Sequence, residues 1–470
     1  MRAVVVGGGV AGLALAIRLC AAGHDVELHE RNEALGGKIA VFERDGFTFD
    51  VGPALVTLPQ VLDDLFRAAG TTLAVELPMV RLDPQFRYTW PDGRTIVVGD
   101  GGCDVPGYRE FVEHGRDIWE VSERTFFAGP MTGPLDLARR MRSPRDLLAI
   151  DPLRTLDASA RRFFTADAQM VQWAGRYATY SGSSPYRAPA TLGCIAFIEN
   201  EFGCWYPMGG LGRLRGALVR VAERVGVDAH VGSEVVGISR SSSRVDGVVL
   251  RGGRTVAADV VVAGVDAAHV YRDLLPDDAA ARRVGRAQRS TSGFVLLAAV
   301  HGQTAGITHH NVWFGGDARE EFAAIEAGRL SQDPTVYACV SSVTDPAQAP
   351  DGCENWFVLV NVPAGCDVDP DAETAMVLQR LATRGVDLRD RLRFTETLTP
   401  RDIERRDGSA GGAIYGTSSD GRRAAFLRPA NRSPVPGLYL VGGSSHPGGG
   451  LPLVVTSARI VADMIERDVG

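Results

Sequence analysis

Residues 2–30 read RAVVVGGGVAGLALAIRLCAAGHDVELHE. The first five are mostly apolar and do not alternate, the pattern of a strand buried on both faces of a parallel sheet. Gly7, Gly9 and Gly12 then make a Gly-x-Gly-x-x-Gly turn, followed by an apolar helix that stops at Gly23 and a second strand over 24–30. This is a βαβ unit. In it the first glycine makes the turn, the second lets the backbone approach a pyrophosphate, and the third lets the helix lie close on the strand. The helix N-terminus presents free N–H groups to phosphate oxygens. Glu30 stands 18 residues beyond Gly12, at the strand end, where a carboxylate accepts hydrogen bonds from ribose hydroxyls. The unit predicts a dinucleotide site, and a glycine-rich turn without a ligand would leave Glu30 unexplained.

Working outward, residues 58–69 read as a helix and 89–98 as a hairpin around Pro91-Asp92-Gly93. Residues 108–180 are mostly helical, with prolines at 130, 134, 144 and 152 interrupting the run. A second α/β block opens near Gly209, with an amphipathic helix at 211–225 and several strands between 235 and 263. Strands at 294–300 and 356–362 share the next stretch with helices at 319–327 and 372–384. The tail resumes the α/β character of the opening, with a strand running into glycines at 437–443 and then a helix at 451–468. The expected fold is α/β. A Rossmann-like nucleotide-binding domain is assembled from 1–75, 208–290 and 413–470. An interleaved α+β substrate domain, a mixed sheet plus a helical cap, takes 76–207 and 291–412.

The composition sets limits. Over 470 residues, 45% hydrophobic and 23% charged content excludes wholesale disorder and a coiled coil. A net charge of −7 argues against nucleic acid as a partner. Seven cysteines without a CxxC pair read as reduced thiols, with neither a disulfide framework nor a metal site expected. The opening predicts no secretory signal, and the long uncharged runs at 290–316 and 433–458 are cut by Gly, His or Pro. The expectation is a cytoplasmic protein able to lie peripherally on the inner face of the cell membrane. Lys38 is the only lysine, a ratio that codon bias explains but a position that still asks for inspection.

Gly36-Gly37-Lys38 comes soon after Glu30, and Asp50-Val51-Gly52-Pro53 follows; together they suit a flavin dinucleotide better than a nicotinamide one. A second glycine-rich turn, His446–Pro452, feeds the final helix and can stabilise negative charge on a reduced flavin ring. No second Gly-x-Gly-x-x-Gly is present, so electrons are expected to leave to oxygen, a quinone or another external acceptor.

On these residues the chain resembles the phytoene desaturase family, the bacterial carotenoid desaturases within the amine-oxidase-like flavoproteins. The resemblance runs nearly end to end. The opening unit and the tail PGLYLVGGSSHPGGGLPL are shared by many flavoproteins, whereas SSPYRAP (183–189), WYPMGG (205–210) and HHNVWF (309–314) are more specific. It implies non-covalent FAD, an apolar tunnel and insertion of C=C bonds into long isoprenoids. It also implies cofactor contacts at Gly7, Gly9, Ala11, Gly12, Glu30 and Arg31, then at Gly37, Lys38, Gly52 and Pro53. Val235, Gly443, Gly450 and Leu451 complete that set. One departure stands out: Met170-Val171 replaces a Leu-Arg pair that many members carry, although Asp167 is kept.

Candidate catalytic groups are Glu199 and Glu201, as proton acceptors when hydride leaves, and His446 in the flavin-side turn. A carboxylate in an apolar tunnel has a raised pKa and suits base chemistry. Trp173, Tyr177, Tyr180, Tyr186, Trp205 and Tyr206 are candidates to line the tunnel. His309 and His310, adjacent on a strand, are expected to point to opposite faces and so to be structural. Residues 135–156, with five arginines among leucines, form a candidate segment for an anionic bilayer. Rival readings are a tailoring oxidase or ketolase of the same family, an amine or amino-acid oxidase on the same fold, and a non-catalytic flavin- or lipid-binding escort.

Overall fold

A computed structural model describes residues 1–421, 424 and 428–469, the side chain at 278 excepted. At its centre is a five-stranded parallel sheet in the order Leu438–Leu440, Val260–Ala263, Arg2–Val6, Asp25–His29, Asp228–His230. Arg2–Val6 is the middle strand, with Val5 opposite Val262 on one side and Leu28 on the other. Its side chains alternate between two apolar layers. Ala3 and Val5 pack with helices Val10–Ala21, Leu211–Val225 and Leu451–Val469. Val4 and Val6 pack against a three-stranded antiparallel sheet built from Val235–Ser241, Arg244–Leu250 and Thr255–Ala257. A strand covered on both faces needs no polar face, which is why residues 3–6 are unbroken Ala and Val.

A seven-stranded mixed sheet forms the second layer. Its order is Leu392–Leu398, Ser292–His301, Cys353–Val362, Val336–Cys339, His310–Trp313, Phe86–Thr89, Thr95–Val98. Helix Pro370–Thr383 covers one face, while Phe47 and Phe49 pack on the other with Val295, Leu297 and Phe357. The helices between Tyr108 and Ser181 make a cap over Phe86, Tyr88, Val312 and Phe314. Each sheet gathers strands from distant parts of the chain, so the tail strand Leu438–Leu440 lies beside Val260–Ala263.

Two small pairings go beyond what the sequence pattern predicts. Val41–Arg44 and Phe47–Asp50 form a hairpin, closed by Asp45 and Gly46 at φ 51° and 81°. Positive φ at both central residues is the type I′ requirement, and Asp-Gly satisfies it. Met79–Arg81 pairs with Trp205–Pro207 as a two-stranded ribbon that ties the cap to the first layer. Among the described residues, no helix is long and apolar enough to cross a membrane.

Candidate functional site

A single cavity of about 900 Å³ runs from the glycine turn after the first strand to the mixed sheet and its helical cap. At one end the walls are backbone. Gly9 and Gly36 form a bridge between two chain segments, and the Gly8 carbonyl accepts from Gly36 N at 2.8 Å. A Cβ added at Gly9 would meet nothing nearer than Gly37 Cα at 4.0 Å, so it would project into open cavity. The gap is a cradle that side chains would fill, and it suits a pyrophosphate approached by main chain. Gly12 has a different task. A Cβ there would fall 2.0 Å from the Gly7 carbonyl oxygen, so the glycine serves helix-to-turn packing and does not line the cavity.

The other residues implied as cofactor contacts all border the cavity: Gly7, Gly9, Ala11, Glu30 and Arg31; Gly37, Lys38, Gly52 and Pro53; Val235, Gly443, Gly450 and Leu451. Glu30 is buried and accepts from Gly8 N at 2.8 Å and Asn32 N at 2.9 Å. A carboxylate has about four lone-pair sites, so it keeps capacity for ribose hydroxyls. Lys38 donates through Nζ to the Ile414 carbonyl at 2.7 Å, and burial lowers its pKa. Arg428, which nothing in the sequence singles out, is buried without a carboxylate partner among the described residues. Its guanidinium donates to the carbonyls of Gly443 and Thr417, both at 2.9 Å, and Tyr415 at 3.3 Å; desolvation lowers it to about 10. It therefore places a fixed positive charge under the tail glycine turn.

Toward the sheet the walls become aromatic and aliphatic, with Phe86, Val312, Phe314, Tyr337, Phe357 and Leu359. Tyr180 and Tyr186 of the expected tunnel set line this part. Trp173, Tyr177 and Tyr206 are buried in the cap core instead, and Trp205 packs on the first layer; none of these four borders the cavity. At the outer end, exposed Asp92, Arg161, Asp317 and Arg319 form a charged rim.

The three catalytic candidates are displaced from the cavity wall. Glu201 is exposed on the protein surface, and Arg81 engages its main-chain carbonyl. Glu199 is buried but lies behind the wall, accepting from the Tyr177 hydroxyl at 3.0 Å and from the Tyr180 hydroxyl. Burial raises its pKa, opposed by the Arg176 guanidinium and the two tyrosine hydroxyls. His446 turns its Nε2 to the Phe126 carbonyl at 3.0 Å, while its own carbonyl accepts from Asn431 and Ser457, both at 2.8 Å. It fastens the tail turn to the cap, and burial lowers it to about 4. Position along the chain indicated proximity for all three but not the direction of the side chain.

One further expectation changes. His309 and His310 do not diverge: their ring centroids are 4.6 Å apart, because His309 sits in a bend and strand alternation starts only at His310. Their ligand-type atoms and the Cys339 sulfur lie within 4.8 Å of one another, all buried. Thr344 and Tyr337 hold the two Nδ1 atoms, at 2.8 and 2.9 Å. Asp167, beside the altered Met170-Val171 pair, is engaged structurally. It caps helix Ala168–Gly175 at Met170 N and pairs with Arg94 through two contacts of 2.7 Å. Val171 does border the cavity, and Met170 is fully buried in the cap.

Comparison with known proteins agrees with this geometry. The profile of the flavin containing amine oxidoreductases matches residues 10–465. The chain is 34% identical to a 4,4'-diapolycopene oxygenase of Methylomonas sp, covering 100% of this chain and 98% of that protein. It is 32% identical to a 1-hydroxycarotenoid 3,4-desaturase of Flavobacterium sp. (strain P99-3), covering 99% of each. Among solved structures, wild-type putrescine oxidase bound to putrescine superposes with a TM-score of 0.69 at 17% identity, over 99% of this chain and 100% of that one. At that identity the likeness concerns the fold. The chain belongs to the flavin-containing amine oxidoreductase family and, within it, is a relative of the carotenoid desaturases and oxygenases.

Proposed function

We propose that the protein is an FAD-dependent desaturase that inserts C=C bonds into a carotenoid or related isoprenoid, with the FAD bound non-covalently. The observation that carries this reading is the continuity of one cavity, backbone-walled at the glycine turns and aromatic-walled beneath the cap. FAD, when bound, would supply the hydride acceptor for an activated C–H, with oxygen or a quinone as the external acceptor of the electrons. The chain's own groups do the rest. The Gly7–Gly12 turn and the N-terminus of helix Val10–Ala21 suit the phosphates, Glu30 the ribose, and Arg428 stabilises negative charge at the tail turn. Phe86, Val312, Phe314, Phe357 and Leu359 pack an extended apolar chain and exclude water from it. None of the seven cysteines, all free, borders the cavity, so no thiol is placed to form a covalent link to the flavin.

A tailoring oxidase or ketolase is the alternative, favoured by the oxygenase activity in the name of the Methylomonas relative. The segment 135–153 supports membrane contact. Leu135, Leu147, Leu148 and Leu153 are 71%, 48%, 78% and 69% exposed, and the chain leads directly from them to Asp157 at the cavity.

The test is anaerobic mixing of the flavin-loaded protein with polyenes in liposomes. Bleaching of the flavin's visible absorbance, with a product of longer conjugation, is expected. A flavin that bleaches with aliphatic amines and ignores every polyene would refute the reading.

A further inference from the structure

Behind the aromatic section of the cavity, strand pairing brings three ligand-type side chains together. His310 opens strand His310–Trp313 and lies opposite Cys339, the last residue of Val336–Cys339. Residues directly opposite on paired strands share one face. His309, in the bend before the strand, turns its ring to 4.6 Å from that of His310. One nitrogen of each imidazole and the Cys339 sulfur thus lie within 4.8 Å of one another. The three residues are buried, at 2%, 0% and 6% exposure. Phe86 stacks on His310 and Tyr206 packs on His309.

Hydrogen bonding around the trio is half complete. Thr344 Oγ1 and the Tyr337 hydroxyl hold the two Nδ1 atoms, whereas both Nε2 atoms are buried without a partner. A hydroxyl that accepts from Nδ1–H fixes the tautomer with its lone pair on Nε2, and outer hydrogen bonds of this kind orient metal-binding imidazoles. Packing alone explains neither orphan.

Nitrogen and sulfur donors select soft or borderline metals over magnesium or calcium. Zinc in a closed site takes four ligands, and no fourth His, Cys, Asp or Glu joins this group among the described residues. Charge narrows the choice further. Cysteine binds metal as the thiolate, so a divalent ion would leave a net positive charge buried among aromatic rings, and a monovalent ion would leave none. The charged groups that act on the trio, Asp50 on Cys339 and Arg176 on His310, are opposite in sign.

We infer that His309, His310 and Cys339 form a binding site for one soft monovalent cation, copper(I), held by one nitrogen of each imidazole and the thiolate. Binding forms two N–Cu bonds and one S–Cu bond, releases the thiol proton to solvent and leaves the oxidation state unchanged. The ion is structural: it cross-links the two strands behind Tyr337, a residue of the cavity wall. The site is independent of the substrate reading above, and its test needs no substrate.

In the experiment, flavin-loaded protein stripped of metal is mixed anaerobically with copper(I) and an excess of bathocuproine disulfonate, a chelator that keeps copper off isolated thiols. Wild type should retain about one copper per chain after gel filtration, with a first shell of one sulfur and two imidazole nitrogens by X-ray absorption. Its melting temperature should rise with copper, since only the folded chain presents the site. Cys339→Ser and His309→Gln should each weaken binding by roughly 100-fold or more, and Thr344→Val, which removes only the hydroxyl on His309, by roughly 10-fold. Cys353→Ser, at another Cys–His pair with His301 Nδ1 4.0 Å from the sulfur, should bind as wild type does. Flavin absorbance reports on the folding of each variant. Wild type that retains no copper overturns the site without any variant. Retention unchanged in Cys339→Ser, or a shell of sulfur alone, overturns it too, and zinc retained in preference to copper by the same residues overturns the monovalent ion. None of these outcomes bears on the polyene test.

Discussion

At the scale of single residues, the glycines carry the clearest consequence. Gly9→Val keeps an allowed backbone, since Gly9 has φ −69°, but its methyls would occupy the gap toward Gly37. The expected result is a folded protein that purifies without flavin; a yellow, flavin-replete variant would contradict the cradle. Arg428→Met has a different cost. It leaves the carbonyls of Tyr415, Thr417 and Gly443 without their buried donor, a loss of about 3 kcal/mol in urea unfolding. With the positive charge gone from the tail turn, the flavin midpoint potential should also fall, readable by dye equilibration; an unchanged potential and stability would make the residue incidental. These two residues differ in how they could be found. Gly7, Gly9 and Glu30 were legible because a turn, a close approach and a strand-end acid are fixed by spacing along the chain. Arg176 and Arg428 sit among 49 arginines, and burial, the property that singles them out, is created by residues distant in sequence. Glu199 shows the converse: its place near the cavity could be read, but the two tyrosines that claim its oxygens could not.

Elements were legible where one period dominates and obscure where pairing decides. The strand Arg2–Val6, apolar from Ala3 on, and the helix Leu211–Val225 declare themselves, whereas the ribbon Met79–Arg81 with Trp205–Pro207 joins three-residue pieces far apart in the chain. The Asp45-Gly46 turn was a usable signal that the hydrophobic pattern around it did not advertise. In the candidate membrane segment the structure refines which side chains matter. Helices Pro134–Arg140 and Pro144–Ala149 are short, and neither buries a large apolar side chain. Arg140 donates to the carbonyls of Thr125, Gly129 and Pro130 and belongs to the fold. Arg139, Arg142 and Arg145 lie at the surface beside Leu135, Leu147 and Leu148. Each arginine near an anionic surface adds about 1 kcal/mol, and the leucines add burial. Changing Arg139, Arg142 and Arg145 to Glu should therefore abolish sedimentation with anionic liposomes and slow polyene turnover, with flavin content unchanged. Leu147→Ser with Leu148→Ser should weaken binding even at high salt. Cosedimentation unaffected by either set would remove this segment from the membrane contact.

For the molecule as a whole, two opposed sets of buried groups govern the response to acid. Burial lowers His29, His114 and His310, and takes His309 to about 3 and His446 to about 4, against about 6.5 in an unfolded chain. The native state refuses protons that the unfolded chain accepts, so this contribution is present above pH 6.5 and is lost as pH falls through it. Burial raises Asp50 and Asp420 to about 6, and Glu321 and Glu373 to about 7. These acids hold their protons more tightly when folded; their stabilising contribution is complete below about pH 4 and is lost as pH rises through 6 to 7. Between pH 5 and 6.5 the histidines favour higher pH and the acids lower pH, so the two slopes offset and wild-type stability should change little. Substituting one member of either set breaks the balance. Glu321→Gln keeps an acceptor for Thr335, whose N and Oγ1 now bond the carboxylate at 3.0 and 2.7 Å, and removes one proton taken up by the native state. Its stability should fall more steeply on acidification from pH 6.5 to 5, by about 1.4 kcal/mol per pH unit relative to wild type. His309→Gln should tilt the curve the other way by a similar amount, because the unfolded chain loses a proton acceptor that the native state never used. Urea unfolding at pH 5, 5.75 and 6.5 measures both, and parallel curves for the three proteins would show that neither side chain titrates differently in the folded and unfolded states.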